Sequence, residues 1–257
     1  MTERDRYKQM QNKEKVKKVG AFSTQGGSDQ ACSARTVRVI GLGGIGSWLT
    51  QAVTPMLPQM WKLILVDGDK YTHSNRSRQA FDLEEVGNYK ADVQARWVMR
   101  QSRSVFVTAI PCYVGHDNIG GWPDEGEYVL LAVDNHRTRK LINDHCSYLR
   151  DVVLISGGNE LTDGNVQVYI RRGGRDVTPD LSAYHPEIAA PVDKAPFEKS
   201  CEELAVSEPQ VLATNLMAAS LMLNAFWLIA NSVADPPYNE VYFDIKHNTA
   251  YPQRRKV

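Results

Sequence analysis

The first residues whose types and spacing could do chemistry lie between Val37 and Ser47, VRVIGLGGIGS. A short apolar run, a glycine-rich turn and the start of a helix follow one another there. Gly41, Gly43 and Gly46 stand in the G-x-G-x-x-G spacing, which gives a tight turn, a close backbone approach to phosphate, and close packing of helix on strand. A helix starting at this turn points its amide N–H groups and positive dipole end at an anion. Asp67 closes the second apolar run, where an acid can accept hydrogen bonds from ribose hydroxyls. The loop from Asp67 to Gln79, DGDKYTHSNRSRQ, gathers Asn75, Arg76, Arg78 and Gln79. A dehydrogenase has no use for this loop, but two guanidinium groups suit a triphosphate. Lys90, at the start of the next helix, can reach the same phosphates. Asp134, at the end of the fourth apolar run, can hold Mg²⁺ through one carboxylate. Each group alone is ordinary, and the signal is their joint placement at successive strand ends.

With these motifs in order, the chain resembles the ThiF/MoeB/HesA group, the ubiquitin-activating-enzyme-like adenylating proteins. The matching residues are GLGGIGS at Gly41 to Ser47, VDGD at Val66 to Asp69, SNRSRQ at Ser74 to Gln79, VGNYKA at Val86 to Ala91 and AVDN at Ala132 to Asn135. They cover about residues 36 to 160. The resemblance implies that Gly41, Gly43, Gly44 and Gly46 hold the phosphates of ATP and that Asp67 binds its ribose. Asn75, Arg78 and Lys90 would contact the phosphates, with Asp69, Gln79 and Asn135 in the same nucleotide site. Asp134 would bind Mg²⁺ and be essential. The implied reaction is attack on the α-phosphate of ATP by the C-terminal carboxylate of a ubiquitin-like or sulfur-carrier protein ending in glycine. It yields an acyl adenylate and pyrophosphate, with Arg78, Lys90, Asp134 and Mg²⁺ as the catalytic set. Relatives are usually homodimers.

The resemblance also draws attention to Cys201, because many relatives carry a cysteine in or after a crossover loop that takes the acyl group as a thioester. Its surroundings, KSCEEL, are mixed: Glu202 and Glu203 raise a thiol pKa and Lys199 lowers it. Nucleophile and incidental cysteine are both open readings. Cys112 and Cys146 read as core or helix residues, and Cys32 takes no role. The zinc-binding C-x-x-C pairs common in the group are missing. So is a clear RYSRQ helix, which in relatives lends an arginine to the partner protomer; Arg6 in DRYKQ is a distant echo.

The elements that must position these residues follow from periodicity. Strands are predicted at Val37 to Ile40, Leu63 to Val66, Val105 to Ile110, Tyr128 to Val133 and Val152 to Ile155. Helices are predicted from about Gly44 to Thr54, Asn88 to Arg103 and Arg137 to Arg150. This alternation predicts an α/β fold, a Rossmann-like mostly parallel sheet with helices on both faces. After Ser156, alternating Val166, Val168 and Ile170 predict a half-exposed antiparallel strand. A proline-rich crossover loop spans about residues 171 to 208. Val241 to Ile245 reads as the last strand before a basic tail. Residues 1 to 35 form a polar, basic arm, and residues 36 to 257 a single adenylation domain.

The bulk properties narrow the classes. The chain has 257 residues, with 30 Lys+Arg against 30 Asp+Glu, so no global charge favours nucleic acid or an anionic membrane surface. The polar N-terminus and scattered cysteines predict no secretory leader and a reducing, cytoplasmic setting. The uncharged stretch from Pro209 to Ala234 has a dense apolar core, Leu216 to Ala230, that is short for a membrane span and reads as a core or dimer helix. Three other readings remain: adenylation of a small molecule or tRNA base, a nicotinamide- or flavin-dependent oxidoreductase, and a catalytically silent nucleotide-binding subunit.

Overall fold

Most of the short apolar runs form strands because both of their faces are covered; the edge run Phe106–Ile110 leaves Phe106 and Thr108 exposed. The computed structural model describes residues 35–194, 211–231 and 236–257. Strands β1 (Thr36–Ile40), β2 (Lys62–Val66), β3 (Phe106–Ile110), β4 (Tyr128–Leu131) and β5 (Val152–Asn159) pair in parallel in the order β3-β2-β1-β4-β5. β1 therefore lies between β2 and β4, and the strand order reverses there. A crevice opens at the carboxyl ends of strands at such a switch point. Four antiparallel strands extend the sheet beyond β5: β6 (Asp163–Arg172), β7 (Arg175–Asp176), β8 (Glu240–Asp244) and β9 (Thr249–Gln253).

Helices cover the two faces. On one, Ile142 and Cys146 of α3 (His136–Tyr148) pack on Ile40, Val129, Leu131, Val152 and Leu154. On the other, α1 (Gly44–Val53) and α5 (Leu212–Ala230) pack against each other, and α5 also covers β5 and β6. Phe226 of α5 meets the Tyr128 ring edge-on at 5.4 Å, and Tyr128 stacks on Trp61 at 5.9 Å. Each such fully buried side chain contributes about 1.5–3 kcal/mol of hydrophobic stabilisation. α2 (Lys90–Gln101) buries Val93 and Val98 against β2 and β3 and leaves Trp97 half-exposed. A one-turn helix, α4 (Pro186–Ala189), interrupts the proline-rich segment.

The parallel half follows the sequence reading, with ends shifted by a residue or two. The segment predicted as a crossover loop from about residue 171 is not loop throughout, because β6 runs to Arg172 and β7 and α4 lie within it. Three further points differ. β5 does not stop at Ile155 but runs to Asn159, because Ser156 to Asn159 pair with β6. β6 is not half-exposed: Gln167 and Tyr169 are buried as well as Val166, Val168 and Ile170, since α5 covers one face and Leu181 lies with Tyr169 in the core on the other. β8 is not the last strand, because a turn at Lys246 to Asn248 leads into β9. Pro252 hides that strand in the sequence, and an edge position tolerates it. The N-terminal arm up to residue 34 and the crossover loop from residue 195 to 208 lie outside the described residues.

Candidate active site

The glycine turn is built by close approach. Gly41 adopts φ +85°, and its N–H donates to the Val66 carbonyl at 2.9 Å. A Cβ on Gly41 would lie 2.7 Å from the Ala132 carbonyl oxygen, and one on Gly46 would overlap the Gly41 carbonyl. These two glycines let α1 start directly against the ends of β1 and β4. Gly43 differs, because a Cβ there would meet only Gln79 Nε2, at 3.9 Å. Gly43 is also the N-cap of α1, with no capping side chain and no acid in the first turn. The start of the helix thus carries neither a capping side chain nor an acid that would compete with an anion for its first N–H groups, the arrangement that suits a phosphate.

The end of β2 ties that turn to a charged cluster. Asp67 accepts from Leu42 N at 2.6 Å through one oxygen and from Asp69 N at 2.7 Å through the other. Burial raises its pKa, and the Lys90 ammonium opposes that shift. Asp69 takes the Lys90 ammonium at 2.8 Å on one oxygen and the Tyr113 hydroxyl on the other. Lys90 is 5% exposed. Burial works against its charge, but Asp67, Asp69 and Asp134 outweigh burial and raise its pKa above the ordinary lysine value.

The loop from Thr72 to Gln79 is fixed by its own turn and by α1. Asn75 Oδ1 accepts from Thr72 N at 3.1 Å, closing a capping box. Trp48 Nε1 donates to the Arg78 carbonyl at 3.1 Å, and Ser47 Oγ accepts from Ala80 N at 3.1 Å. Gln94 Nε2 donates to the Ala80 carbonyl at 2.6 Å and to Tyr71 Oη at 2.8 Å. Arg78 Nε and Gln79 Oε1 are buried without a hydrogen-bond partner among the described residues. Orphaned buried polar atoms are uncommon in proteins and mark a place where a ligand can complete the network.

Asp134 follows β4 in the turn before α3. Its carboxylate is exposed and takes no hydrogen bond among the described residues, while its charge acts on both Lys90 and Arg139. One free carboxylate beside a triphosphate suits Mg²⁺, which keeps waters and shares phosphate oxygens. The described residues contain no cluster of three or more acidic, His or Cys ligands that would cage a metal alone. Asn135 caps α3, accepting from Thr138 N at 2.8 Å, and its buried Nδ2 likewise has no hydrogen-bond partner among the described residues.

Sequence reasoning missed the supports. Arg139, one turn into α3, donates to Ser156 Oγ, Val133 O and Gly157 O, each at 2.8 Å. It thereby braces the turn that carries Asp134. Burial pulls its pKa down to about 10, against the pull of Asp134. An arginine on the inner face of an amphipathic helix was the available signal. Asp193, from the proline-rich segment, accepts from His136 N at 2.6 Å and Arg137 N at 3.2 Å. No local pattern marks Asp193 or Tyr113. The structure thus brings Gly41, Gly43, Gly44, Gly46, Asp67, Asp69, Asn75, Arg78, Gln79, Lys90, Asp134 and Asn135 to the carboxyl-end side of the parallel strands. Cys201 lies outside the described residues, Cys146 is buried and Cys112 is half-buried.

The ThiF family model matches residues 17–256. The chain belongs to the ThiF family. This ThiF-family chain is 29% identical over 122 residues to tRNA threonylcarbamoyladenosine dehydratase of Escherichia coli (strain K12), covering 47% of the chain and 45% of that protein. It is 28% identical over 148 residues to SAMP-activating enzyme E1 of Haloferax volcanii, covering 57% of the chain and 53% of that protein. The crystal structure of E. coli MccB with ATP has the same fold, with TM-score 0.69 and 16% identity over 86% of this chain and 63% of that one. The ThiF-family chain spans about half the length of the curated relatives it matches.

Proposed function

We propose that this chain uses ATP and Mg²⁺ to adenylate the C-terminal carboxylate of a ubiquitin-like or sulfur-carrier protein. The observation that carries the reading is one convergence. The uncapped start of α1 at Gly43, the buried Lys90 ammonium and the Asp134 carboxylate, which has no hydrogen-bond partner among the described residues, all lie on the carboxyl-end side of the sheet at the strand-order reversal. The relatives add support, since one is a SAMP-activating enzyme E1 and a solved structure of the same fold, MccB, was crystallised with ATP. An oxidoreductase leaves Arg78 and Lys90 without a task.

In this reading the first N–H groups of α1, Lys90 and Arg78 hold the triphosphate and place the α-phosphorus in line with the incoming carboxylate. The carboxylate oxygen bonds to the α-phosphorus, and the bond to the α–β bridging oxygen breaks. Pyrophosphate leaves with the electron pair. Lys90 and Arg78 neutralise the charge that builds on the phosphates. Mg²⁺ held by Asp134 would supply further neutralisation of the leaving group. Where a thioester follows, the Cys201 thiolate attacks the acyl carbon and AMP departs.

The test is ATP–pyrophosphate exchange with β-grasp proteins that end in glycine. Exchange that needs one such partner, and that falls about a thousandfold in a folded Asp134→Ala, is expected. Undiminished exchange in Asp134→Ala would reject the site. A second reading follows from the dehydratase relative: the activated group is carried on a modified tRNA nucleoside. Exchange that needs tRNA and no carrier protein would select it.

A further inference from the structure

Tyr113 stands in the charged cluster, though it enters from a loop that carries no recognised motif. It follows β3 closely, and Asn118 fixes its backbone by donating from Nδ2 to the Tyr113 carbonyl at 2.9 Å. The ring lies flat over Gly68, where a Cβ would sit 2.7–2.8 Å from three ring carbons. Gly68 is therefore the residue that admits the ring, and the VDGD motif acquires a use for its middle position. The phenol donates to Asp69 Oδ1. Asp69 Oδ2 takes Lys90 Nζ at 2.8 Å, and the Asp69 carbonyl takes Lys90 N at 2.9 Å.

The geometry bears on what Lys90 can offer a ligand. An ammonium has three N–H donors and a carboxylate has two oxygens. If both Asp69 oxygens faced Lys90, a bidentate grip could draw two donors away from the crevice. The phenol occupies one oxygen, so Asp69 holds the ammonium by the other. Burial and the neighbouring carboxylates raise the Tyr113 pKa, which keeps the phenol a donor.

We propose that Tyr113 is a positioning residue of the adenylation site: by occupying Asp69 Oδ1 it limits Lys90 to a single contact with Asp69 and leaves two ammonium N–H groups for the phosphates of ATP. This rests on the reading that Lys90 binds those phosphates. The same link carries the position of the β3 loop to α2, since Tyr113, Asp69 and Lys90 come from three separate segments.

The test is a double-mutant cycle on ATP affinity, measured by titration calorimetry on the full chain with Mg²⁺ and no protein substrate. Tyr113→Phe keeps the ring over Gly68 and removes only the hydroxyl. It is expected to weaken ATP binding about tenfold, the scale of one hydrogen bond to a charged group. In a Lys90→Ala background the same change is expected to move affinity by less than about twofold, because its effect runs through Lys90. A purely structural role for the hydroxyl would give the same loss in both backgrounds, and that result overturns the proposal. So does an unchanged affinity in Tyr113→Phe while Lys90→Ala loses binding, an outcome that leaves the adenylation reading standing. Absence of ATP binding by the wild-type chain overturns both. Should Tyr113→Phe fail to fold, Asp69→Asn enters the same cycle, and lack of coupling to Lys90→Ala rejects the link.

Discussion

Burial holds the Cys146 thiol far above its ordinary value of 9.0, pushed up to about 12, with the Glu127 carboxylate adding to the shift. A folded pKa above the unfolded one means that the unfolded chain loses its proton first as pH rises. The stability this gives is complete below about 9 and is lost as the pH climbs towards about 12. The buried Tyr71 phenol, also raised, acts in the same direction at higher pH. Denaturant midpoints are therefore expected to fall between pH ~8 and pH ~10.5, and to fall less in Cys146→Ala, which is less stable throughout because of its cavity. An equal fall in both proteins would show that Cys146 does not contribute. Asp134 shows the opposite condition. Exposed and without a hydrogen-bond partner among the described residues, it is available to a cation, so its replacement is expected to affect chemistry and not folding.

At the scale of the element, the three glycines of the turn separate by what surrounds them. A side chain on Gly46 would overlap the Gly41 carbonyl, so α1 would have to move off β1. Gly46→Ala is expected to cost about 3 kcal/mol or more in a denaturant titration, the range of an overpacked core position. Gly43→Ala meets nothing closer than Gln79 Nε2 at 3.9 Å and is expected to keep the wild-type unfolding midpoint within about 0.5 kcal/mol. Its ATP affinity is nonetheless expected to drop at least about tenfold, because the methyl group stands where a phosphate approaches the start of α1. Wild-type ATP affinity in Gly43→Ala would remove the helix N-terminus from the nucleotide site. A stable Gly46→Ala would mean that the close approach of helix and strand is not needed.

At the scale of the molecule, α5 joins the parallel and antiparallel halves of the sheet. It is 19 residues long without a charge, and by length and composition alone it could cross a membrane. Ala218, Met222, Ala225, Phe226 and Ile229 face inward, and Gly157 of β5 lacks the Cβ that would collide with Met222. The outward side keeps Leu212 at 37% and Leu216 at 42% exposed. This apolar surface motivates the expectation of a homodimer through α5. Light scattering after size exclusion is expected to give twice the chain mass, and Leu216→Arg to give one chain mass with unchanged circular dichroism. A wild-type monomer, or a dimer that survives the substitution, would discard that surface.

The sequence by itself determined the parallel strands, the three helices that follow them and the placement of most candidate site residues beside the strand ends. Each is written in contiguous stretches: short continuous apolar runs, period-3.6 apolar patterns, and glycines at fixed spacing before a helix. It also determined that Asp67, Lys90 and Asp134 lie at strand or helix ends, because those ends are set by the same local patterns. β9 escaped because Pro252 opposes a strand locally, and only pairing with β8 supports it. The burial of β6 escaped because its covering helix, α5, lies far along the chain. Tertiary structure alone decided which site residues brace one another. Tyr113 meets Asp69 across 44 positions, and Asp193 caps α3 from 57 positions beyond His136. Those contacts exist only once the strands stack in the order β3-β2-β1-β4-β5, and no pattern local to either partner encodes that order.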